Sequence, residues 1–353
     1  MTNEMYRIGI VGASSLAGKE LTDALGESLL AASDVVLLDD DEAVGQMTAT
    51  GDEVSFIQRL GAAAFERLDF VFFAGDTATT KKHWQEARRA GASIVDLTYA
   101  LAGKKDVLVR SPWVAGALAD AEKTTHKEKK PDLNTHAVVA AHPAAVMIAL
   151  ATAHLHGKLP LSSVAAMVME PASEHGRLAM DELHQQTVNL LSFQGLPREQ
   201  YDAQVAFNLL AELGDAASVK LAATGEHIRD QYVAMSAGAL PPLALQVLQA
   251  PVFHGYVMSV LVDFTSPVTE EQIRTALVGE HISVVAHGQD APSNLSATGR
   301  EDMLVQVSRG SGGDGPDTRF WLWMAADNLR LAALNAIACA VELRRLRPLG
   351  KVQ

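Results

Sequence analysis

The chain has 353 residues, 48% hydrophobic and 20% charged, which suits about two globular domains with sizeable cores. A formal charge of −13 argues against nucleic acid or an anionic membrane surface as the main partner, but leaves anionic metabolites open to backbone donors. Cys339 is the single cysteine, so an intrachain disulfide and a cysteine-based zinc site are excluded.

The N-terminal MTNEMYRIGIVGA lacks a charged segment followed by a long apolar run. No secretory signal is expected there, and the expected location is the cytoplasm. No run of about 18 apolar residues offers a membrane span. RIGIV (7–11) reads as a strand and 19–30 as a helix. DVVLL (34–38) and DFVFF (69–73) read as strands, 83–90 as a helix, and SIVD (93–96) as a further strand. Strands alternating with helices imply βαβ units and a Rossmann-like, doubly wound parallel sheet.

Between the first strand and first helix lies Gly9-Ile10-Val11-Gly12-Ala13-Ser14-Ser15-Leu16-Ala17-Gly18. Glycines there let the backbone approach a pyrophosphate, and the helix start supplies N–H donors. The same residues also fit a tight βα turn that holds nothing. The second strand runs into Asp39-Asp40-Asp41-Glu42. A carboxylate at that point can accept from ribose hydroxyls, and four in a row repel a 2′-phosphate, so NAD is favoured over NADP if a dinucleotide binds. A solvated acidic loop explains the run equally well.

The Lys-rich 122–134 reads as a solvated loop. VVAAHPAAVMIAL (138–150) reads as a strand, a tight turn and a helix start. Many α/β enzymes carry a reacting side chain on such a turn, and here Ala144 and Ala145 stand there. The helix continues to about 156. Strand 164–169 and helix 180–191 follow. Strand-like runs at 256–264, 283–286, 303–307 and 320–325, with the Gly-rich turn 309–317, suggest a mostly antiparallel sheet. The last segment, 328–346, is helical. The reading is an α/β Rossmann-like domain (1–140), an α+β substrate and dimerisation domain with a mostly antiparallel sheet (141–326), and a C-terminal helix returning to the first domain (327–353).

Several stretches, in order along nearly the whole chain, resemble the aspartate-semialdehyde dehydrogenase family: GIVGASSLAGKEL, FVFFAGDTATT, IVDLT, AHPAAVMIAL, EPASEHG with ELHQQ, VAFNLL, APVFHGYVMSV and ADNLRLAALNA. The resemblance implies NADPH-dependent reductive dephosphorylation of aspartyl phosphate. That reaction uses a thiolate, a His acid/base, an orienting Gln and substrate-holding arginines. It also implies a homodimer, and it adds Ser173 and Asn328 to the cofactor-binding set.

Carried over position by position, the reacting groups are missing. The thiol falls on Ala145 and the Asn before it on Ala144. The His falls on Tyr256 and the orienting Gln on Glu170. The two substrate arginines become Gln249 and Ala102. The 2′-phosphate Arg falls near Glu42, the middle loop Gly on Ser15, and a Lys-Gly pair is shortened around Leu331 and Ala332.

Substitutes for the missing groups are sparse. Cys339, amid alanines of the last helix, reads as a core residue. His254 would share a face with Tyr256 if the segment were a strand. His154 and His156, two apart on a helix, do not face each other as a metal pair would. Ser173 and His175 lack a nucleophile-elbow pattern.

Three functions follow. The first is an inactive family member that binds a ligand or partner, with the amides of Ala144 and Ala145 open to a small anion. The second is a nucleotide-dependent enzyme with rearranged chemistry. The third is a structural subunit paired with a paralogous chain.

Overall fold

The computed structural model describes residues 6–31, 33–40, 42–50, 53–123, 133, 135–286, 288–310 and 315–346. Contacts divide the chain into two units. One comprises Met1–Pro112, Pro131–His142 and Ala332–Gln353, the other Trp113–Lys130 and Pro143–Leu331.

The first unit contains strands β1 (Arg7–Val11), β2 (Asp34–Asp39), β3 (Met47–Thr50), β4 (Glu53–Phe56), β5 (Gln58–Arg59), β6 (Phe70–Phe73), β7 (Ser93–Asp96), β8 (Leu108–Arg110) and β9 (Ala137–Ala140). Its helices α1 (Leu16–Gly26) and α2 (Thr77–Arg89) follow β1 and β6. The sheet order is β5-β2-β1-β6-β7-β9-β8, and every pairing in it is parallel. A parallel sheet is covered on both faces, so its strands are apolar throughout rather than alternating. Phe70–Phe73 is buried at every position. Leu21 and Leu25 of α1, with Ala336, Ile337 and Ala340 of the C-terminal helix, cover one face; Trp84 and Ala87 of α2 cover the other. β3 and β4 form a separate antiparallel hairpin.

The boundaries differ from the sequence reading where caps decide them. α1 starts at Leu16, not 19, because Ser15 Oγ accepts from the Gly18 N–H at 2.9 Å and caps the helix. It ends at Gly26 rather than 30. α2 begins at Thr77, where Asp76 accepts from the amides of Ala78 and Thr79 at 2.8 and 2.9 Å. The segment expected as a solvated loop opens inside helix α3 (Pro112–Lys123), and Leu133 packs on the first unit's core. The rest of that segment, 124–132 and 134, lies outside the described residues, as do Asp41 and 311–314 of the Gly-rich turn.

The second unit contains α4 (Pro143–His156), β10 (Leu161–Glu170), α5 (Gly176–Leu191), α6 (Leu221–Ser236), β11 (Leu243–Gln249), β12 (Tyr256–Val268), α7 (Glu270–Leu277), β13 (Ile282–Val284), α8 (Asn294–Ala297), β14 (Met303–Arg309) and β15 (Asp317–Ala326). Helix α9 (Asn328–Leu343) starts here and continues into the first unit. The sheet order is β11-β10-β12-β15-β14-β13. β12 is antiparallel to β10 and β15, and β14 to β15; the two outer pairs are parallel. α4 is apolar all round and buried except at His154 and His156, as a helix inside a core must be.

β10 and β12 alternate. Val164, Ala166, Val168 and Glu170 turn inward, as do Tyr256, Met258, Val260 and Val262. The opposite face carries Ala165, Met167, Met169, Val257, Leu261 and Trp321, an apolar row only partly covered.

The sequence reading missed α6, β11 and α7. Between α5 and α6 the chain has almost no regular structure, so its backbone groups need other partners. Three α5 side chains, three and four residues apart on one helix face, supply them. Glu182 accepts from the amides of Gln200 and Tyr201. Gln186 donates to Pro197 O and Ala203 O and accepts from the amides of Val205 and Ala206. Asn189 donates to Gly195 O.

Candidate functional site

The candidate residues fall into two groups, one in each unit. In the first unit the nucleotide loop joins β1 to α1. Gly12 adopts φ +82°, and a Cβ there would lie 2.3 Å from Gly75 Cα. A Cβ on Gly18 would lie 2.2 Å from Gly12 O. Both glycines are therefore required by close backbone approach. Ser15, on which the resemblance puts the middle Gly of the loop, has ordinary extended dihedrals; its hydroxyl donates to Ala74 O at 2.8 Å and caps α1.

The loop consumes most of its own donors. Gly12 N–H goes to Leu38 O, Ser15 N–H to Gly12 O, and Ser14 N–H to Asp39 Oδ2 at 2.7 Å. The amides of Leu16 and Ala17, in the first turn of α1, are the ones left over. They belong to a helix start that follows a Gly-rich turn, which is the arrangement that binds a diphosphate. The residues present thus fit a dinucleotide's pyrophosphate. Asp39, read from the sequence as a ribose acceptor, also braces the loop: Oδ2 accepts from Ser14 and Oδ1 from the Asp40 amide.

In the same unit, Ala102 sits exposed in a turn after β7. Asp96 organises that turn, accepting from the amides of Thr98 and Leu101 at 2.7 and 2.9 Å. Burial raises the Asp96 carboxyl's pKa, against the opposing pull of these bonds. Cys339 is buried on α9, 3.5 Å from Arg110 O. Burial, with Glu342 nearby, pushes its thiol far above the ordinary range, so it is no nucleophile. Arg110 pairs with Glu342 through two bonds, 2.8 and 2.5 Å, beside it.

In the second unit three of the positions carried over from the resemblance meet at one end of the sheet. Glu170 ends β10, Gln249 ends β11 and Tyr256 begins β12. Glu170 and Gln249 are direct partners in the parallel pairing, and Tyr256 is one step beyond the Met169–Val257 pair. All three are on the inward face and fully buried, as is Ala145 in the first turn of α4. Glu170 Oε2 lies 2.9 Å from His175 Nε2. Burial works against a charged His175, but the Glu170 carboxylate and Glu174 outweigh it and hold its pKa above the ordinary value. Gln249 donates through Nε2 to Glu170 O and Ala250 O at 3.1 and 3.0 Å. Glu170 Oε1 and Gln249 Oε1 are buried without a partner.

Ser173 does not meet His175 as a nucleophile meets its base. Its hydroxyl donates to Asn328 Oδ1 at 3.2 Å, which also accepts from the Gly255 amide at 3.0 Å. Ser173 and Asn328 thus form one bonded group in the second unit. His254 precedes β12 rather than lying on it, and Gly255 at φ +86° breaks the alternation, so the shared face with Tyr256 expected from a strand does not exist. His154 is held below its ordinary pKa by burial, and His156 Nδ1 accepts from the Leu161 amide at 3.0 Å. Among the described residues no group of three or more metal-ligating side chains occurs.

The Glu170–His175 pair was not foreseen. Its members are five residues apart across a 3₁₀ turn, Ala172–His175, which no periodicity signals.

Two family models match the chain, overlapping at residues 150–187. Residues 7–187 match the family model for the semialdehyde dehydrogenase NAD binding domain, and 150–331 match that for the semialdehyde dehydrogenase dimerisation domain. A USG-1 protein homolog from Pseudomonas aeruginosa is 28% identical over 95% of this chain and 96% of its own. An aspartate-semialdehyde dehydrogenase from Rickettsia bellii is 24% identical over 96% and 97%. The solved structure of a probable aspartate-semialdehyde dehydrogenase from Pseudomonas aeruginosa superposes with a TM-score of 0.82 at 25% identity, covering 97% of this chain and 99% of that one.

Proposed function

Since the chain belongs to the semialdehyde dehydrogenase family, we propose that it is a member without acyl-enzyme chemistry, which holds a dinucleotide and a small ligand and acts as a homodimer. One observation carries this reading. Ala145, on which the resemblance puts the nucleophile, is a fully buried alanine, while the chain's only thiol is a core residue on α9. A methyl group cannot attack a carbonyl, so the thioester that divides the family's reaction into two steps has no atom to form on. The test is turnover of aspartate semialdehyde with phosphate and NAD or NADP. The expected rate is indistinguishable from the no-enzyme control. Turnover that disappears on replacing Glu170 or His254 would establish a rearranged enzyme instead.

The Glu170–His175 pair favours that second reading, because a buried carboxylate orienting an imidazole is an acid–base unit. The same assay separates the two.

For the cofactor, Asp39 argues for NAD. Its carboxylate is fixed at the end of β2 by two amide donors, and negative charge at that strand end disfavours a 2′-phosphate. Asp40 and Glu42 add to it. Calorimetry is expected to show NAD binding at least tenfold tighter than NADP. No binding of either at millimolar concentration would remove the dinucleotide from the proposal.

The partly covered face with Met167, Leu261 and Trp321 is the surface proposed for dimerisation. Light scattering at micromolar concentration is expected to give a dimer; a monomer would refute it. A paralogous subunit is the other partner that could cover this face. Binding of a small anion at the start of α4 is a further part of the reading, which titration with inorganic phosphate tests.

A further inference from the structure

Glu170 and Gln249 are neighbours on adjacent strands, on one face, at one end of the sheet. Each is fully buried, and each leaves one oxygen without a hydrogen-bond partner. The Gln249 amide cannot relieve this by flipping, since its nitrogen already serves two carbonyl oxygens. An unmade hydrogen bond to a buried acceptor is destabilising, more so for a charged group. Two such oxygens on paired residues of adjacent strands leave this strand end with two acceptors unmatched. In the resembling family these positions are a neutral Gln and a cationic Arg, and here they are a carboxylate and a neutral amide. The local charge has moved in the negative direction at both. Whatever the α4 amides hold, a phosphate or carboxylate is disfavoured at this strand end.

We propose that Glu170 Oε1 and Gln249 Oε1 together receive a primary ammonium group, so that the ligand of the second unit is an amine. An ammonium carries three N–H donors and a charge that Glu170 complements. Gln249 accepts a second N–H from the neighbouring strand. The inference rests on the reading of this unit as a binding unit, and not on the absence of turnover.

The probe is methylammonium, compared with tetramethylammonium at equal ionic strength. Both are cations, but only the first has N–H donors. Thermal unfolding and calorimetry on the full chain are expected to show saturable stabilisation by methylammonium, with affinity at least tenfold above tetramethylammonium. Glu170→Gln should abolish the difference. Gln249→Arg brings a guanidinium to the strand beside Glu170, so it should raise the unfolding midpoint without amine and remove the amine response. Equal responses to the two cations, or no response to either, would overturn the proposal, as would a methylammonium response that survives in Gln249→Arg. The comparison in the unmodified protein decides even if Glu170→Gln does not fold. Turnover of a semialdehyde would sink the non-enzymatic reading while leaving amine binding to stand, so the two failures are separable.

Discussion

Two glycines of α1 make opposing demands. At Gly18 an alanine Cβ would lie 2.2 Å from Gly12 O, 2.9 Å from Ala13 Cα and 3.0 Å from Gly12 C. All three atoms are backbone, and the nearest is about 1.2 Å short of ordinary contact, so no side chain can swing aside. Overpacking costs about 1–3 kcal/mol, and an unyielding neighbour puts this case near 3. Alanine recovers about 1 kcal/mol of helix propensity. Gly18→Ala should therefore destabilise by about 2 kcal/mol. At Gly26, in the same helix, nothing lies within 4 Å of the added atom. Gly26→Ala should stabilise by about 0.5–1 kcal/mol through propensity and a less free unfolded chain. Thermal unfolding reads both, with a fall of roughly 4–8 °C for the first and a rise for the second. The loop must move to admit the methyl, and with it the Leu16 and Ala17 amides. NAD affinity should drop at least tenfold in Gly18→Ala and stay unchanged in Gly26→Ala. Equal midpoints for the two variants, or NAD affinity within threefold of the unmodified protein in Gly18→Ala, would refute the reasoning.

Three further outcomes are expected. Gln186→Ala strips partners from two buried amides and two carbonyls of the 197–206 segment and should cost about 3–5 kcal/mol by urea unfolding; a loss below about 1 kcal/mol would mean that water replaces the side chain. His175 is held above its ordinary pKa in the folded state, so the stability it contributes is fully present below the ordinary His value and is lost as pH rises through the raised one. The urea midpoint should fall over that window and His175→Gln should flatten the fall; a midpoint that rises with pH there in the unmodified protein but not in His175→Gln would reverse the assignment. Ala145→Cys alone should not create turnover, because Tyr256 supplies no imidazole, and measurable oxidation of aspartate semialdehyde by that variant would show that the missing thiol was the only defect.

The features legible in the sequence were those set by local periodicity. FVFF and AVVA, buried at every position, are parallel strands, and the 138–150 strand, turn and helix occur as β9 and α4. What escaped depends on partners far along the chain. α6 carries Gly225 mid-helix and shows no strong apolar stripe, so only its packing against α4 and β11 makes it a helix. β11 holds two Gln among its apolar residues, and the inward burial of Gln249 is decided by pairing with β10. Asp39 shows the same limit at the candidate site: the sequence gives a carboxylate after a strand, but its bond to Ser14 requires the loop to fold back over β2. Glu170 was recognised as a changed position, yet its imidazole partner and its unmatched oxygen exist only once the turn at Ala172–His175 and the end of β11 are in place.

A scaffold that had merely lost its reaction would be expected to close the vacated site as ordinary core. Ala145 and Tyr256 fit that expectation: one is a methyl in the buried first turn of α4, the other a large ring at full burial beginning a central strand. Glu170 and Gln249 do not. Replacing both with apolar residues of similar shape would relieve two buried, unmatched acceptors, and such exchanges are often neutral or stabilising. The carboxylate is instead braced on one oxygen by His175 and the amide is locked by two carbonyls, so each side chain is held rigidly with a single oxygen to spare. Rigid placement of an unsatisfied group is the property of a binding site, where the missing partner arrives with the ligand. The same strand end therefore carries both halves of the argument: Tyr256 stands where the resemblance puts an imidazole, and the two oxygens of the neighbouring strands are what remains to be matched.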